Sequence, residues 1–250
     1  MTANHAGGSE RGGRLLVLVD AEQFGGDVEP AGGSAAGAGR WTSLVAETAR
    51  VVGLEPAYLP LKHTDGEWIR RALGAAADWH GPVLVLPRTA MAWPAQAGPP
   101  HLRRALIASD DSPAVVRGAR LASLHLLRSG VQTRVVLVLT GETAPPMWEG
   151  TGHHATAWRA ELVRRHGRPT RFEVVSGPPG AAVRAQGAQA DLVVLLWRGM
   201  AEEGRAAVVR EVLDDGVCQP CLLLPLDWVE SAPVAAGLSS AARQRERAAP

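Results

Sequence analysis

Arg104-Ala-Leu-Ile-Ala-Ser-Asp-Asp-Ser-Pro113 decides the fold. Ala105 to Ser109 is a short apolar run that stops at two aspartates. Ser112 and Pro113 follow as an N-cap and a first-turn proline, the signature of a helix start. A buried strand that feeds a helix so abruptly is half of a β-α unit. From Pro113 onward, Val115, Val116, Ala119, Leu121, Leu124 and Leu127 follow helical spacing, and Gly130 is placed to end the helix.

The alternation then repeats. Val135–Leu139 reads as a strand, and Ala155, Trp158 and Leu162 mark a helix that ends at Gly167. Phe172–Val175 is a third strand, 179–189 an Ala/Gly-rich helix, and Leu192–Trp197 a fourth strand. Val208, Val209, Val212 and Leu213 line a further helix, which Gly216 is placed to end, and Cys221–Leu224 is the closing strand. These strands are continuous apolar runs rather than alternating ones, as expected when helices cover both faces of a parallel sheet. Strict β-α order predicts a doubly wound α/β architecture over 101–228.

The preceding block, 14–88, is a shorter version of the same plan. Leu15–Val19 is a strand ending at Asp20, Trp41–Val52 a helix, and Ala57–Leu61 a strand marked as an edge by Pro60. Asp65–Trp79 is a helix and Val83–Leu86 a strand. Both blocks open on an apolar strand ending in Asp, which suggests a degenerate internal duplication; two unrelated α/β pieces with a common opening remain the alternative. Residues 1–13 read as a polar arm, 21–40 as a Gly/Ala-rich loop, 89–100 as a proline-bearing linker and 229–250 as a solvated tail.

Composition sets further limits. Hydrophobic residues make up 46% and charged residues 20%, which suits a packed core rather than a disordered chain. The net charge of +1 gives no electrostatic case for nucleic-acid binding. Two cysteines exclude a disulfide framework and a four-cysteine zinc site. No apolar run approaches the ~20 residues that span a bilayer, and residues 1–13 lack the apolar stretch of a signal peptide. A cytoplasmic protein without membrane contact is the expectation.

The second block resembles the universal stress protein family. The resemblance rests on Arg104-Ala-Leu-Ile-Ala-Ser-Asp-Asp-Ser-Pro113, similar to that family's first strand and Asp-Gly-Ser-Pro turn with Asp111 in place of glycine. Ala190-Asp-Leu-Val-Val-Leu-Leu-Trp-Arg-Gly199 resembles its fourth strand and turn, and Pro220-Cys-Leu-Leu-Leu-Pro225 its closing strand. The resemblance implies a five-stranded parallel sheet of order 3-2-1-4-5 in the C-terminal half, a smaller eroded α/β copy in the N-terminal half, and a tandem arrangement. It also implies a non-enzymatic stress-response or regulatory role.

In nucleotide-binding members, the Asp ending strand one lies at the adenine side. A loop of the form Gly-x2-Gly-x9-Gly-Ser after strand four wraps the phosphates with backbone N–H groups. Carried to this chain, the resemblance points to Asp110, Leu139, Arg198, Gly199 and Arg205 as the site for ATP or another adenine nucleotide. The phosphate loop is degenerate: Leu196 stands at its first glycine, Gly199 is kept, and neither Ala206-Ala207 nor Val209-Arg210 supplies Gly-Ser. Glu202 and Glu203 fall in the loop and would repel a triphosphate. No nucleotide is expected in the first block, where Pro87-Arg88-Thr89 replaces the loop.

Other candidate chemistry is thinner. Cys218-Gln-Pro-Cys221 has dithiol spacing, but a strand follows it instead of a helix whose dipole would favour a thiolate, so core cysteines are expected. His153-His154 reads as a solvated helix start. Ser176-Gly-Pro-Pro-Gly180 precedes a helix and is a secondary anion candidate, with a plain turn as the simpler reading. Trp68 and Trp158 read as core, and Trp93 and Trp148 lie in Pro-rich loops. There is no Gly-x-Ser-x-Gly, no Walker loop and no serine, histidine and aspartate in catalytic order, so no catalytic and no metal residue is named.

Two other readings stay open: an adenine-nucleotide-dependent hydrolase or transferase, and a ligand-free scaffold with unidentified protein partners. Pro82-Val-Leu-Val-Leu-Pro87 shares the Pro-flanked apolar pattern of 220–225. These two are expected to pair, either within one chain as a pseudo-dimer or, for 220–225, between two chains by self-association.

Overall fold

The apolar runs of both blocks join one sheet in the computed structural model, which describes residues 14–20, 41–61, 67–86, 101–140, 152–199, 203–213 and 219–231. The first block supplies β1 (Arg14–Asp20), α1 (Thr42–Val52), β2 (Glu55–Leu61), α2 (Trp68–Trp79) and β3 (Val83–Val85). The second supplies β4 (Arg104–Ser109), α3 (Pro113–Arg128), β5 (Gln132–Leu139), α4 (His153–Arg165) and β6 (Arg171–Ser176). It continues with α5 (Pro179–Gly187), β7 (Leu192–Trp197), α6 (Glu203–Leu213), β8 (Cys221–Pro225) and α7 (Leu226–Ser231).

The eight strands lie in the order β2-β1-β3-β8-β7-β4-β5-β6. Neighbours are parallel except at one junction, where β3 runs antiparallel to β8 with Val83 opposite Leu223 and Val85 opposite Cys221. The C-terminal five strands therefore do not form a sheet of their own, and Cys221–Leu224 is not a bare edge. The Pro-bearing β2 does lie at the sheet's margin, where a strand without every ladder N–H is tolerated.

Strand periodicity sorts the core into two layers. Val17, Ile107, Val194 and Leu222 pack with Leu44, Val115, Ala119 and Leu226 from α1, α3 and α7. Leu18, Leu106, Val193 and Leu223 face the other way, onto Trp68, Val183, Val209 and Val212 from α2, α5 and α6. Leu137 and Leu139 meet Leu162 of α4 in a smaller cluster, with Trp158 half-buried against it. Both faces are dry, so both parities of each central strand must be apolar, and the runs lose their alternation.

Two expectations change. The tail does not begin at 229: α7 extends through Ser231, because Leu226 and Val229, three residues apart, both bury on the sheet. Helix α2 begins at Trp68 rather than Asp65, and residues 65 and 66 lie outside the described residues. The expected arm 1–13, loop 21–40, linker 89–100 and tail beyond 231 also lie outside them, as do Trp93, Trp148 and Cys218. No helix among the described residues is long and apolar enough to cross a membrane.

Candidate functional site

The sheet reverses its winding at β4. The chain moves from β4 to β5 on one side and later returns through β7 on the other. Loops leave the carboxyl ends of β4 and β7 in opposite directions there, and the crevice between them is where doubly wound sheets take ligands. A cleft of about 530 Å³ opens at that point.

Its walls are aliphatic. Ala108, Val138, Leu195 and Leu196 come from the strand ends, Val115 from α3, Pro179 and Val183 from α5, and Val208 and Val209 from α6. Ser109, Asp110, Thr140 and Gly204 complete the lining. Such a slot suits a flat, mostly apolar ring system held by a few polar groups.

The turn after β4 is built from its own side chains. Asp110 accepts the N–H of Ser112 at 2.9 Å, an Asx turn that sets up the extended N-cap before Pro113. Between them, Asp111 holds φ at 60°, in the left-handed region that favours glycine. Aspartate tolerates this conformation because its side chain is short and polar. Here it also pairs with Arg165 at 3.0 Å, and its N–H donates to Ser109 Oγ at 3.2 Å.

Beneath that turn lies a buried pair. Ser109 Oγ is 2.8 Å from His166 Nε2, and His166 Nδ1 is 2.8 Å from the carbonyl of Leu162. A carbonyl only accepts, so Nδ1 carries the proton and Nε2 accepts from the Ser109 hydroxyl. Burial pushes the His166 pKa down. The Leu162 carbonyl and Asp111 oppose this, Arg165 adds to it, and the net shift is downward. His166 is thus a neutral imidazole that fixes the direction of the Ser109 hydroxyl.

The sequence-named residues divide as follows. Asp110 is on the cleft rim. Leu139 is buried against α4, one strand position out of phase with Val138 and Thr140, which line the cleft. Arg198 is exposed, and Gly199 has φ of 68°; both sit in the β7–α6 turn beside the cleft and outside its lining. Arg205 is in α6, and its side chain lies outside the described residues. Sequence reasoning missed Gly204, Thr140 and Val183. Gly204 is legible as a second glycine, but it stands five positions after Gly199 and precedes Arg205, where the family loop has Gly-Ser after nine intervening residues.

The secondary candidates resolve simply. In Ser176–Gly180, Pro179 touches the cleft, whereas Gly180 is buried where α5 crosses α6: a Cβ there would fall 2.6 Å from Cβ of Glu211. Arg184 ties the same crossing with a 3.0 Å bond to the Glu211 carbonyl. Cys221 is fully buried and its thiol is pushed up to about 12, so it carries no thiolate chemistry. His153 and His154 are exposed in the first turn of α4. Among the described residues, no group of three or more metal-ligating side chains is gathered.

No protein-family model matches the chain, and no curated protein does. Among solved structures it is similar to a universal stress protein from Archaeoglobus fulgidus DSM 4304, with 14% identity over 85% of this chain and 86% of that one and a TM-score of 0.43. It is also similar to a universal stress protein in complex with cAMP, at 16% identity over 50% of this chain and 98% of that one, TM-score 0.38. A third is a universal stress protein from Archaeoglobus fulgidus in complex with dAMP, at 18% identity over 50% of this chain and 98% of that one, TM-score 0.33.

Proposed function

We propose that this chain is a tandem protein of the universal stress type that binds an adenine nucleotide, or its adenosine part, between β4 and β7, as a regulatory ligand rather than a substrate. The observation that carries the reading is the position of the apolar cleft, at the switch point of the sheet with Asp110 on its rim. The adenine ring would fill the slot between Val138, Val183 and Val209, and Asp110 would accept from a ligand hydroxyl or amine. The N-terminal block acts as a structural complement, and the protein works through association with protein partners.

The test is mass spectrometry of ligand retained by the gently purified full-length protein, followed by binding measurements on Asp110→Ala. Loss of a carboxylate that hydrogen-bonds the ligand should weaken adenosine binding by roughly tenfold. Unchanged affinity rejects Asp110 as a contact.

A second reading, a nucleotide-dependent hydrolase or transferase, is favoured by one observation: Ser109, which lines the cleft, donates its hydroxyl to the neutral imidazole of the buried His166 behind it. Turnover of bound nucleotide with added magnesium, lost in Ser109→Ala, would establish it; no turnover removes it.

A further inference from the structure

We propose that the amino ends of β4, β5 and β6 form a docking surface for the phosphate backbone of a nucleic-acid duplex, bound without regard to base sequence. This rim lies at the opposite end of the sheet from the cleft, so the inference stands apart from the adenine reading.

The near-neutral total conceals a divided chain. Residues 101–184 carry twelve arginines and six acids, whereas the remainder carries fourteen basic and nineteen acidic residues. A net charge of +1 therefore does not describe the local surface. The fold gathers five of those arginines. Arg103 and Arg104 lie at the start of β4, Arg128 ends α3 just before β5, and Arg168 and Arg171 lead into β6. Register sets Arg104 beside Gln132 and Arg134 beside Arg171, on strands about 4.8 Å apart. All five are exposed, as are Gln132 and Thr170.

The carboxylates that touch this row are turned inward. Buried Asp191 accepts the N–H groups of Arg103 and Arg104 at 3.0 and 2.8 Å. Glu173 pairs with Arg171 and the half-buried Arg134, and Glu47 at the flank is taken up by His101 and the Leu102 N–H. The side chains of Arg104 and Arg171 still stay 59% and 70% exposed. Among the described residues, no carboxylate pairs with Arg103, Arg128 or Arg168. The dipole of α3 accounts for Arg128 in its last turn. It does not account for Arg168, which holds φ at 55°, an angle that glycine adopts without strain.

The side-chain chemistry selects the occupant. Guanidinium forks take phosphate oxygens in pairs, and the amide of Gln132 and hydroxyl of Thr170 add single bonds. The row exposes no aromatic ring on which an unstacked base could lie, which favours a duplex over a single strand. Leu127 is the one exposed large apolar side chain among the described residues, too little to anchor the rim in a bilayer.

The experiment is fluorescence anisotropy of the full-length protein with a labelled DNA duplex of about 20 base pairs, at about 50 and 200 mM salt. A Kd of about 10 μM or tighter is expected at the lower salt. It should weaken about 100-fold at the higher salt, as roughly four phosphate contacts release their counterions. Two unrelated duplex sequences should agree within about threefold, and single-stranded DNA should bind at least about threefold more weakly. The double variant Arg128→Gln, Arg168→Asn removes two cations, and asparagine suits the left-handed angle. It should cost about tenfold or more and lower the salt slope by about two. Arg70→Gln with Arg71→Gln, on α2 across the sheet, makes the same charge change and should cost less than about threefold. No binding tighter than about 100 μM at the lower salt, an affinity indifferent to salt, or equal losses in the two double variants overturns the inference. So does single-stranded DNA, polyglutamate or an anionic phospholipid vesicle that binds as tightly as the duplex.

Discussion

Asp111 and His166 show how single residues hold the rim of the cleft. Asp111 sits at φ of 60° with its N–H on Ser109 and its carboxylate on Arg165. Asp111→Gly relieves a left-handed cost of about 1 kcal/mol and gives up a partly exposed ion pair worth up to about 1 kcal/mol. Its urea midpoint should therefore stay close to that of the parent. Asp111→Val cannot relieve the angle and should cost about 1–3 kcal/mol; equal midpoints for the two variants would show that the angle is not strained. His166 predicts a pH dependence. Burial lowers its folded pKa below the ordinary value near 6.5, so the unfolded chain binds the proton more readily. Its contribution to stability is complete above about pH 6.5 and is lost as pH falls through the lower folded value. Urea midpoints between pH 7 and pH 5 should fall less steeply in His166→Gln than in the parent. Parallel slopes would remove His166 as the titrating group. None of this pairing was legible in the sequence, because Ser109 and His166 are 57 positions apart and join only when α4 lies back on β5.

At the level of elements, local chemistry was legible where it was sufficient. Leu192–Trp197 reads as β7 to the residue, because an apolar run buried on both faces has sharp ends. Ser112-Pro113 gives the start of α3 for the same reason that N-caps do anywhere. Asp110 was legible as the end of β4. Leu139 was named instead of Thr140, because which strand residue faces the crevice depends on register and not on residue type. Helix α7 was hidden, since six residues after a proline give too little period to read. The α5–α6 crossing was hidden as well: Gly180 reads as turn chemistry, and its actual demand is space beside Glu211. Gly180→Ala should destabilise the protein by about 1–3 kcal/mol through overpacking at that crossing. Adenosine binding should also weaken, because Val183, Val208 and Val209 on those helices wall the cleft. An unchanged urea midpoint would mean that the helices part at no cost, and the wall would then be plastic.

Across the whole molecule, the antiparallel β3–β8 junction decides how the chain behaves as a unit. Leu84 and Leu86 from the first block share one core layer with Leu222 and Leu224 from the second, and Val83 and Val85 share the other with Cys221 and Leu223. A second tie crosses the opposite end of the blocks. Glu47 on α1 accepts the Leu102 N–H and lies 3.0 Å from His101 Nδ1, just before β4. Burial raises the Glu47 pKa, but those two partners and Arg50 outweigh it, so the carboxylate is held below its ordinary range. With both core layers continuous through the junction, local opening of one half exposes apolar surface in the other, and the sheet should unfold as one cooperative body. Tryptophans in both halves make this measurable: Trp68 and Trp197 are buried on opposite sides of the junction, in α2 and β7. Fluorescence and circular dichroism should therefore trace one coincident urea transition. Leu84→Ala removes a fully buried side chain at the junction and should shift that single transition by about 2–5 kcal/mol without splitting it. Two separated transitions in the parent would show that the blocks are independent bodies. A split that appears only in Leu84→Ala would show that the junction alone couples them, with the Glu47 tie too weak to do so.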